Sequence, residues 1–157
     1  MAKFFETNSD IVDLIQNKFE ETRLGQLGIN LKVMSVTKAK NAIKASKASA
    51  TIHYLTNKDV FITVYEEAFE RLNRDMQAKL IEGCLANISY DTEKDKLNVE
   101  TDIAKEIFQM RKKYENYVDM VETSYIVIEQ IEEEERQRKE EEKARKAEAK
   151  AAKRRDN

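Results

Sequence analysis

The first 36 residues show two different spacings of apolar side chains, one helical and one typical of strands. In residues 8–19 apolar side chains recur every three or four positions after Asn8, a good N-cap residue, which predicts an amphipathic helix. Gly25 and Gly28 are predicted to end this helix and turn the chain. In residues 29–36 apolar and polar side chains alternate, which predicts a half-buried strand.

The middle of the chain contains its clearest strand. Residues 60–65 (VFITVY) are mostly β-branched or aromatic, which favours a strand, and residues 52–55 predict a short strand before it. Residues 38–47 are rich in lysine without a clean period, so we interpret them as a loop or a sheet-edge element. Residues 75–87 have apolar side chains on one helical face, and a polar turn follows at residues 90–97.

The last third of the chain predicts one long helix that begins near Thr101. Apolar residues follow a strict 4-3 spacing from Ile103 to Ile131, which gives an a/d seam whose one polar member is Ser124. This seam fits either packing along the chain's own domain or a coiled coil with a partner or a second copy. We favour packing within the domain, because other apolar residues such as Phe108 widen the apolar face.

These elements predict an α+β fold in which helices cover a small sheet formed by residues 29–36, 52–65 and 88–99. We place the globular domain at residues 1–131 and a charged helical tail at residues 132–157. The tail has no large apolar residue, and pairs of Glu with Lys or Arg at i,i+4 support a helix there without a core. We therefore expect the domain to stay folded when all residues beyond Gln130 are deleted.

Composition limits the chemistry that the chain can carry out. The single cysteine, Cys84, and the single histidine, His53, have no ligand spacing to each other and no third group to complete a zinc site or a catalytic triad. The three glycines form no phosphate-binding loop. We therefore expect no enzymatic activity and no cofactor. Because no signal peptide and no apolar run of membrane-spanning length is recognisable, we expect a cytoplasmic protein without a membrane partner.

Charge is unevenly distributed along the chain, although the net charge is only −2. Residues 22–58 contain no Asp or Glu, and the end of the tail is again basic. Such regions can bind nucleic-acid phosphates, complement an acidic protein surface or merely be solvated, and the sequence leaves all three open. The candidate partner-binding residues are Arg23, Lys32, Lys38, Lys40, Lys44, Lys47, Lys58, Lys143, Arg145, Lys146, Lys150, Lys153, Arg154 and Arg155.

One helical segment has a local likeness to metalloenzymes. Residues 80–88 (LIEGCLANI) resemble the active-site helix of small zinc-metallopeptidase-like phage proteins, whose pattern is H-E-x-x-H. Gly83, Cys84 and Asn87 stand at the three defining positions, so both histidine ligands and the glutamate base are missing. The resemblance implies a related scaffold without the metal.

A second likeness extends over most of the chain. Residues 3–8 (KFFETN), 47–51 (KASAT) and 89–96 (SYDTEKDK) together resemble the small RNA polymerase-binding proteins of T-even-like bacteriophages. The resemblance implies an accessory protein of the host cytoplasm that binds bacterial RNA polymerase and modulates transcription without catalysis. Two alternatives stay open: a nucleic-acid-binding protein that uses residues 23–58 and the basic tail, and an inactive zinc-peptidase-like scaffold used for protein interaction. A homo-oligomer through the seam of residues 103–131 is compatible with each.

Overall fold

The computed structural model describes residues 2–156 and has the predicted α+β class. The helices of the described residues are α1 (Ser9–Glu20), α2 (Arg23–Gln26), α3 (Ala50–Thr56), α4 (Glu66–Glu70), α5 (Arg74–Ala86), α6 (Ile103–Met110) and α7 (Tyr117–Arg155). The strands are β1 (Phe4–Phe5), β2 (Leu31–Val36), β3 (Ile43–Lys47), β4 (Val60–Val64), β5 (Ile88–Asp91) and β6 (Lys96–Val99).

The main sheet has the strand order β1-β2-β4-β3. Strand β2 runs parallel to β4, whereas β1 and β3 pair antiparallel with their neighbours. In β4, Val60, Ile62 and Val64 are fully buried and alternate with half-buried residues, as expected for a central strand with one face on the core. The lysine-rich segment supplies β3, so its interpretation as a sheet-edge element is confirmed.

Two apolar clusters hold the helices in place. In the first, α1 and α5 cover the inner face of the main sheet, with Ile15, Ile62 and Ile81 among the side chains that solvent cannot reach. In the second cluster, α4, α5 and the first half of α7 pack together around Ala68, Tyr117 and Ile128. Helix α7 is thus attached to the domain only along its first part.

Helix α1 begins as predicted, because the Asn8 side chain accepts a hydrogen bond from the backbone N–H of Asp10 at 2.9 Å. The prediction that Gly25 ends this helix is wrong, since α1 ends at Glu20 and Gly25 lies inside the short helix α2. Gly28 does turn the chain, and its φ of 77° is a conformation that glycine adopts without strain.

The predicted strand at residues 52–55 is wrong, because this segment belongs to helix α3. The side chain of Ser49 accepts a hydrogen bond from the backbone N–H of Ile52 at 3.2 Å and caps the helix. This local cap decides the conformation, since none of the residues of α3 is buried against the sheet. Residues 88–99 form the expected hairpin, but as a separate two-stranded sheet of β5 and β6.

The prediction of one continuous C-terminal helix is also wrong. Helix α6 ends at Met110, a turn follows, and α7 begins at Tyr117. The turn redirects the chain so that the second half of the seam reaches α4 and α5, and Val121 and Ile131 are buried there. The seam is therefore largely packed within the domain, as favoured above, while a homo-oligomer through residues 103–131 stays a prediction.

The tail continues α7 to Arg155 with its residues exposed. Two of the expected i,i+4 pairs form, Glu135 with Lys139 at 3.1 Å and Glu142 with Lys146 at 2.8 Å. The expectation for deletion beyond Gln130 needs correction, because Ile131 is only 1% exposed and belongs to the core. Among the described residues, no helix combines the length and the apolar character that crossing a membrane requires.

Candidate functional site

The segment that resembles a metallopeptidase helix forms the C-terminal end of α5. The helix begins after Asn73, whose side chain accepts a hydrogen bond from the backbone N–H of Met76 at 2.9 Å. Gly83 and Cys84 lie in its last turn and are buried, and Asn87 is the C-cap residue. Positions 83 and 87 are one helical turn apart and face the same side, where α6 and α7 pass.

Tyr117, the first residue of α7, fills the space beside Gly83. Its side chain is completely buried, and a Cβ atom placed on Gly83 would overlap the phenol oxygen. Any larger side chain at position 83 would have to displace the ring. The absence of a side chain at position 83 and the presence of a tyrosine at position 117 are therefore two parts of one packing arrangement.

Glu106, on α6, connects Asn87 at the end of α5 with Tyr117 at the start of α7. Its Oε1 accepts a hydrogen bond from Asn87 Nδ2 at 2.6 Å, and its Oε2 accepts one from the Tyr117 hydroxyl at 2.9 Å. Burial raises the pKa of Glu106 above its ordinary value, and the two hydrogen bonds lower it only in part. Burial and the nearby carboxylate of Glu106 both raise the pKa of Tyr117, so its hydroxyl remains a donor.

Cys84 carries a free, buried thiol. It is 2% exposed and lies in the apolar cluster between α5 and the sheet. Burial, followed by the charge of Glu106, raises the pKa of the thiol well above its ordinary value. A thiol that stays protonated at neutral pH is a poor nucleophile.

These side chains do not fit a catalytic zinc ion. Such a site needs three protein ligands with an open position, and the two histidine positions of the helix hold Gly83, which has no donor, and Asn87, whose amide already bonds to Glu106. Tyr117 occupies the volume beside position 83. Within residues 2–156, no group of three or more His, Cys, Asp and Glu side chains is arranged to hold a metal ion. We therefore derive no metal-dependent reaction step from these residues.

A cavity of about 160 Å³ adjoins the Glu106 network. It lies between the edge strand β3 and the helices α6 and α7, and Lys44, Ala45, Glu106 and Tyr125 are among its lining residues. Burial raises the pKa of Tyr125, and its hydroxyl faces Asn41 Oδ1 at 3.4 Å. Its volume is about half the lower end of the 300–1,000 Å³ range of typical ligand pockets.

The basic residues proposed as a binding surface are not all brought together. Lys44 and Lys47 lie on β3, and Lys58 lies between α3 and β4. Lys32 is on β2 and forms an ion pair with Glu6 at 3.1 Å, while Arg23 begins α2. The other candidates lie in the loop before β3 and along the exposed end of α7, namely Lys38, Lys40, Lys143, Arg145, Lys146, Lys150, Lys153, Arg154 and Arg155. Their role in binding stays a prediction.

Within the α+β fold, helix α5 carries the segment that resembles a metallopeptidase helix, with Gly83, Cys84 and Asn87 at the three defining positions. Comparison with protein families agrees with this resemblance: the family model described as "Putative phage metallopeptidase" matches residues 3–150. The chain therefore belongs to this family of phage proteins. Neither the search of curated proteins nor the search of solved structures gave a match.

Sequence reasoning found Gly83, Cys84 and Asn87 but missed Glu106 and Tyr117. Tyr117 falls within the predicted apolar seam of residues 103–131, and no sequence pattern singles out Glu106. The signal that could have indicated their contact is Gly83 itself. A glycine in the interior of a helix weakens it by about 1 kcal/mol, and its presence often marks the close approach of another group.

Proposed function

We propose that this chain is a non-catalytic member of its family and acts by binding another macromolecule in the host cytoplasm. The observation that carries the proposal is the Asn87–Glu106–Tyr117 network at the end of α5. Each oxygen of the one carboxylate there has a donor from the protein, and the hydroxyl of Tyr117 lies where a side chain at position 83 would extend. The family scaffold is kept, while the groups that zinc chemistry needs are replaced.

The proposed partner is the host RNA polymerase, with modulation of transcription as the outcome. This partner comes from the likeness of residues 3–8, 47–51 and 89–96 to polymerase-binding proteins of T-even-like phages. The basic character of β3 and of the segment after α3 supports it, because an acidic protein surface would complement these lysines. Nucleic-acid binding is the second candidate, supported by the same lysines and by the basic end of α7.

The absence of catalysis is tested with purified full-length protein. Metal analysis after incubation with zinc and dialysis should give far less than one zinc per chain, and the protein should not hydrolyse an unfolded protein substrate. Stoichiometric zinc together with hydrolysis that a chelator abolishes would overturn the proposal. Stoichiometric zinc without hydrolysis would overturn only the conclusion that the residues around α5 do not fit a zinc ion.

The partner is tested by direct binding to purified bacterial RNA polymerase and, separately, to nuclease-resistant oligonucleotides. We expect polymerase binding that persists after nuclease treatment. Binding to the oligonucleotide alone, with an affinity that falls steeply as salt is raised, would favour the second candidate, because each phosphate contact releases counterions.

A further inference from the structure

Helix α3 carries apolar side chains that the domain does not cover. The exposed fractions are 43% for Ile52, 87% for Tyr54 and 73% for Leu55, although the helix is only seven residues long. Single exposed apolar residues are ordinary, but Ile52 and Leu55 are three positions apart on one helix face and form an exposed pair that favours contact with another molecule, and Tyr54 lies next to Leu55. None of them contributes to either apolar cluster of the core.

The orientation of α3 is fixed by the residues at its other side. His53 Nδ1 lies 3.1 Å from the carbonyl oxygen of Lys58 and 3.2 Å from Asp59 Oδ1, so an Nδ1–H donates towards both. With about 100° of rotation per residue, Leu55 lies nearly opposite His53, and Ile52 and Tyr54 lie on the two flanks of the helix. The face centred on Leu55 therefore points away from the domain, because the side of α3 that carries His53 is attached to it.

The charges around this apolar group are positive. Lys47 ends β3 just before α3, and Lys58 follows α3, whereas Lys44 lies earlier on β3 on the other face of the sheet, beside the cavity next to α6 and α7. No ion pair joins these three lysines to any other residue of the described range 2–156. Asp59, the first acid after them in the sequence, accepts a hydrogen bond from the backbone N–H of Asn30 at 2.7 Å and faces His53.

We infer that α3 and its flanking lysines form a docking surface for an acidic protein segment with apolar side chains. An acidic partner complements Lys47 and Lys58, which flank α3, and its apolar residues would cover Ile52 and Leu55. A nucleic acid fits less well, because Tyr54 alone in this group offers a planar face for stacking, and the aliphatic side chains of Ile52 and Leu55 do not. This inference rests on the proposed binding function and names the surface that carries it.

The test measures binding of four full-length proteins to purified RNA polymerase. They are the wild type, the double variant Ile52→Ser/Leu55→Ser, the charge variant Lys47→Glu/Lys58→Glu, and the control Phe108→Ser. Phe108 is 68% exposed on α6, so the control removes an equally exposed apolar group from another surface. We expect the first two variants to bind at least about tenfold more weakly and the control to bind like the wild type.

A second probe keeps the inference falsifiable if polymerase is not the partner. A synthetic amphipathic helix with leucine on one face and glutamate around it should bind the wild type, and a version with lysine in place of glutamate should not. If polymerase binds all four proteins equally, the α3 surface is wrong while the proposed function stands.

If polymerase does not bind the wild type, that partner is wrong, and the acidic peptide decides the surface. Binding of the peptide that the α3 variants lose would support the inference. No binding, or equal binding by all four proteins, would overturn it, as would oligonucleotide binding that depends on the lysines but not on Ile52 and Leu55.

Discussion

Helices α5 and α3 differ in where their unusual side chains lie. At the end of α5, polar groups of Asn87, Glu106 and Tyr117 bond to one another inside the domain. On α3, Tyr54 and Leu55 are apolar and lie in solvent. Buried polar groups that satisfy each other stabilise a fold but leave little for a ligand, whereas exposed apolar groups gain when a partner covers them. We therefore expect α5 to govern stability and α3 to govern binding.

The largest difference between the two regions is expected for two tyrosine-to-alanine changes. Tyr117→Ala should lower the free energy of unfolding by about 3–5 kcal/mol, because it empties a fully buried site. Tyr54→Ala, the matched control on α3, should change it by less than about 0.5 kcal/mol. Chemical denaturation followed by circular dichroism gives both values. Similar losses for the two variants would contradict the division of roles.

A pair of truncations applies the same contrast to the two parts of α7. Deletion of all residues beyond Gln130 removes the buried Ile131 and should cost about 2–5 kcal/mol of unfolding free energy. Deletion beyond Arg136 keeps Ile131 and removes exposed residues, so thermal unfolding should be nearly unchanged. Equal stability of both truncations would show that Ile131 does not contribute to the core.

The contact between Gly83 and Tyr117 can be measured with a double-mutant cycle. Gly83→Ala should destabilise the wild type by about 1–3 kcal/mol, because the added methyl group overlaps the phenol. In a Tyr117→Phe background the cost should be smaller, since the oxygen closest to the new methyl is gone. Additive effects of the two changes in urea unfolding would argue against direct contact.

The smallest expected effect concerns the protonation of Glu106. Burial raises its folded-state pKa above the ordinary value of 4.5. A carboxyl whose pKa is higher in the folded chain stabilises the fold below the unfolded pKa, and this contribution is lost as pH rises through the folded pKa. Relative to Glu106→Gln, the wild type should therefore lose stability as pH rises above about 4.5.

The effect of Glu106 must be measured as the difference in stability between the wild type and Glu106→Gln. The pKa of Glu82 is lowered by its hydrogen bond to Lys113 despite the opposing effect of burial, so its pH dependence has the opposite sign. Thermal unfolding of wild type and Glu106→Gln across the acidic to neutral range cancels that shared contribution. A difference that is constant with pH would show that Glu106 keeps an ordinary pKa in the fold.

The parts of the fold predicted correctly from sequence are those whose local signal agrees with their packing. Strand β4 is rich in β-branched residues and buries every second side chain in the core, and α1 has both a cap and an apolar face. The apolar residues of α3 predict a buried strand, but Ser49 caps a helix there and the apolar side chains stay exposed. Exposed apolar residues mislead periodicity arguments wherever a surface is built for contact.

The candidate site was predicted in its positions but not in its contacts. The likeness to H-E-x-x-H identifies Gly83, Cys84 and Asn87, because the two histidine positions of that motif are four residues apart on one helix. Glu106 and Tyr117 come from two other helices, and the turn between α6 and α7 that brings them to α5 has no proline or glycine to mark it. Contacts of this kind depend on how helices cross, which spacing within one helix does not encode.

The exposed part of α7 also affects how the particle moves through solution. Residues 132–155 extend for about 36 Å at 1.5 Å per residue. That is more than twice the radius of gyration of about 14 Å expected for a compact domain of residues 1–131. A monomer of this shape has a larger Stokes radius than a sphere of equal mass, so it should elute early from a sizing column. Its association state should therefore be read from light scattering or sedimentation equilibrium, which report mass.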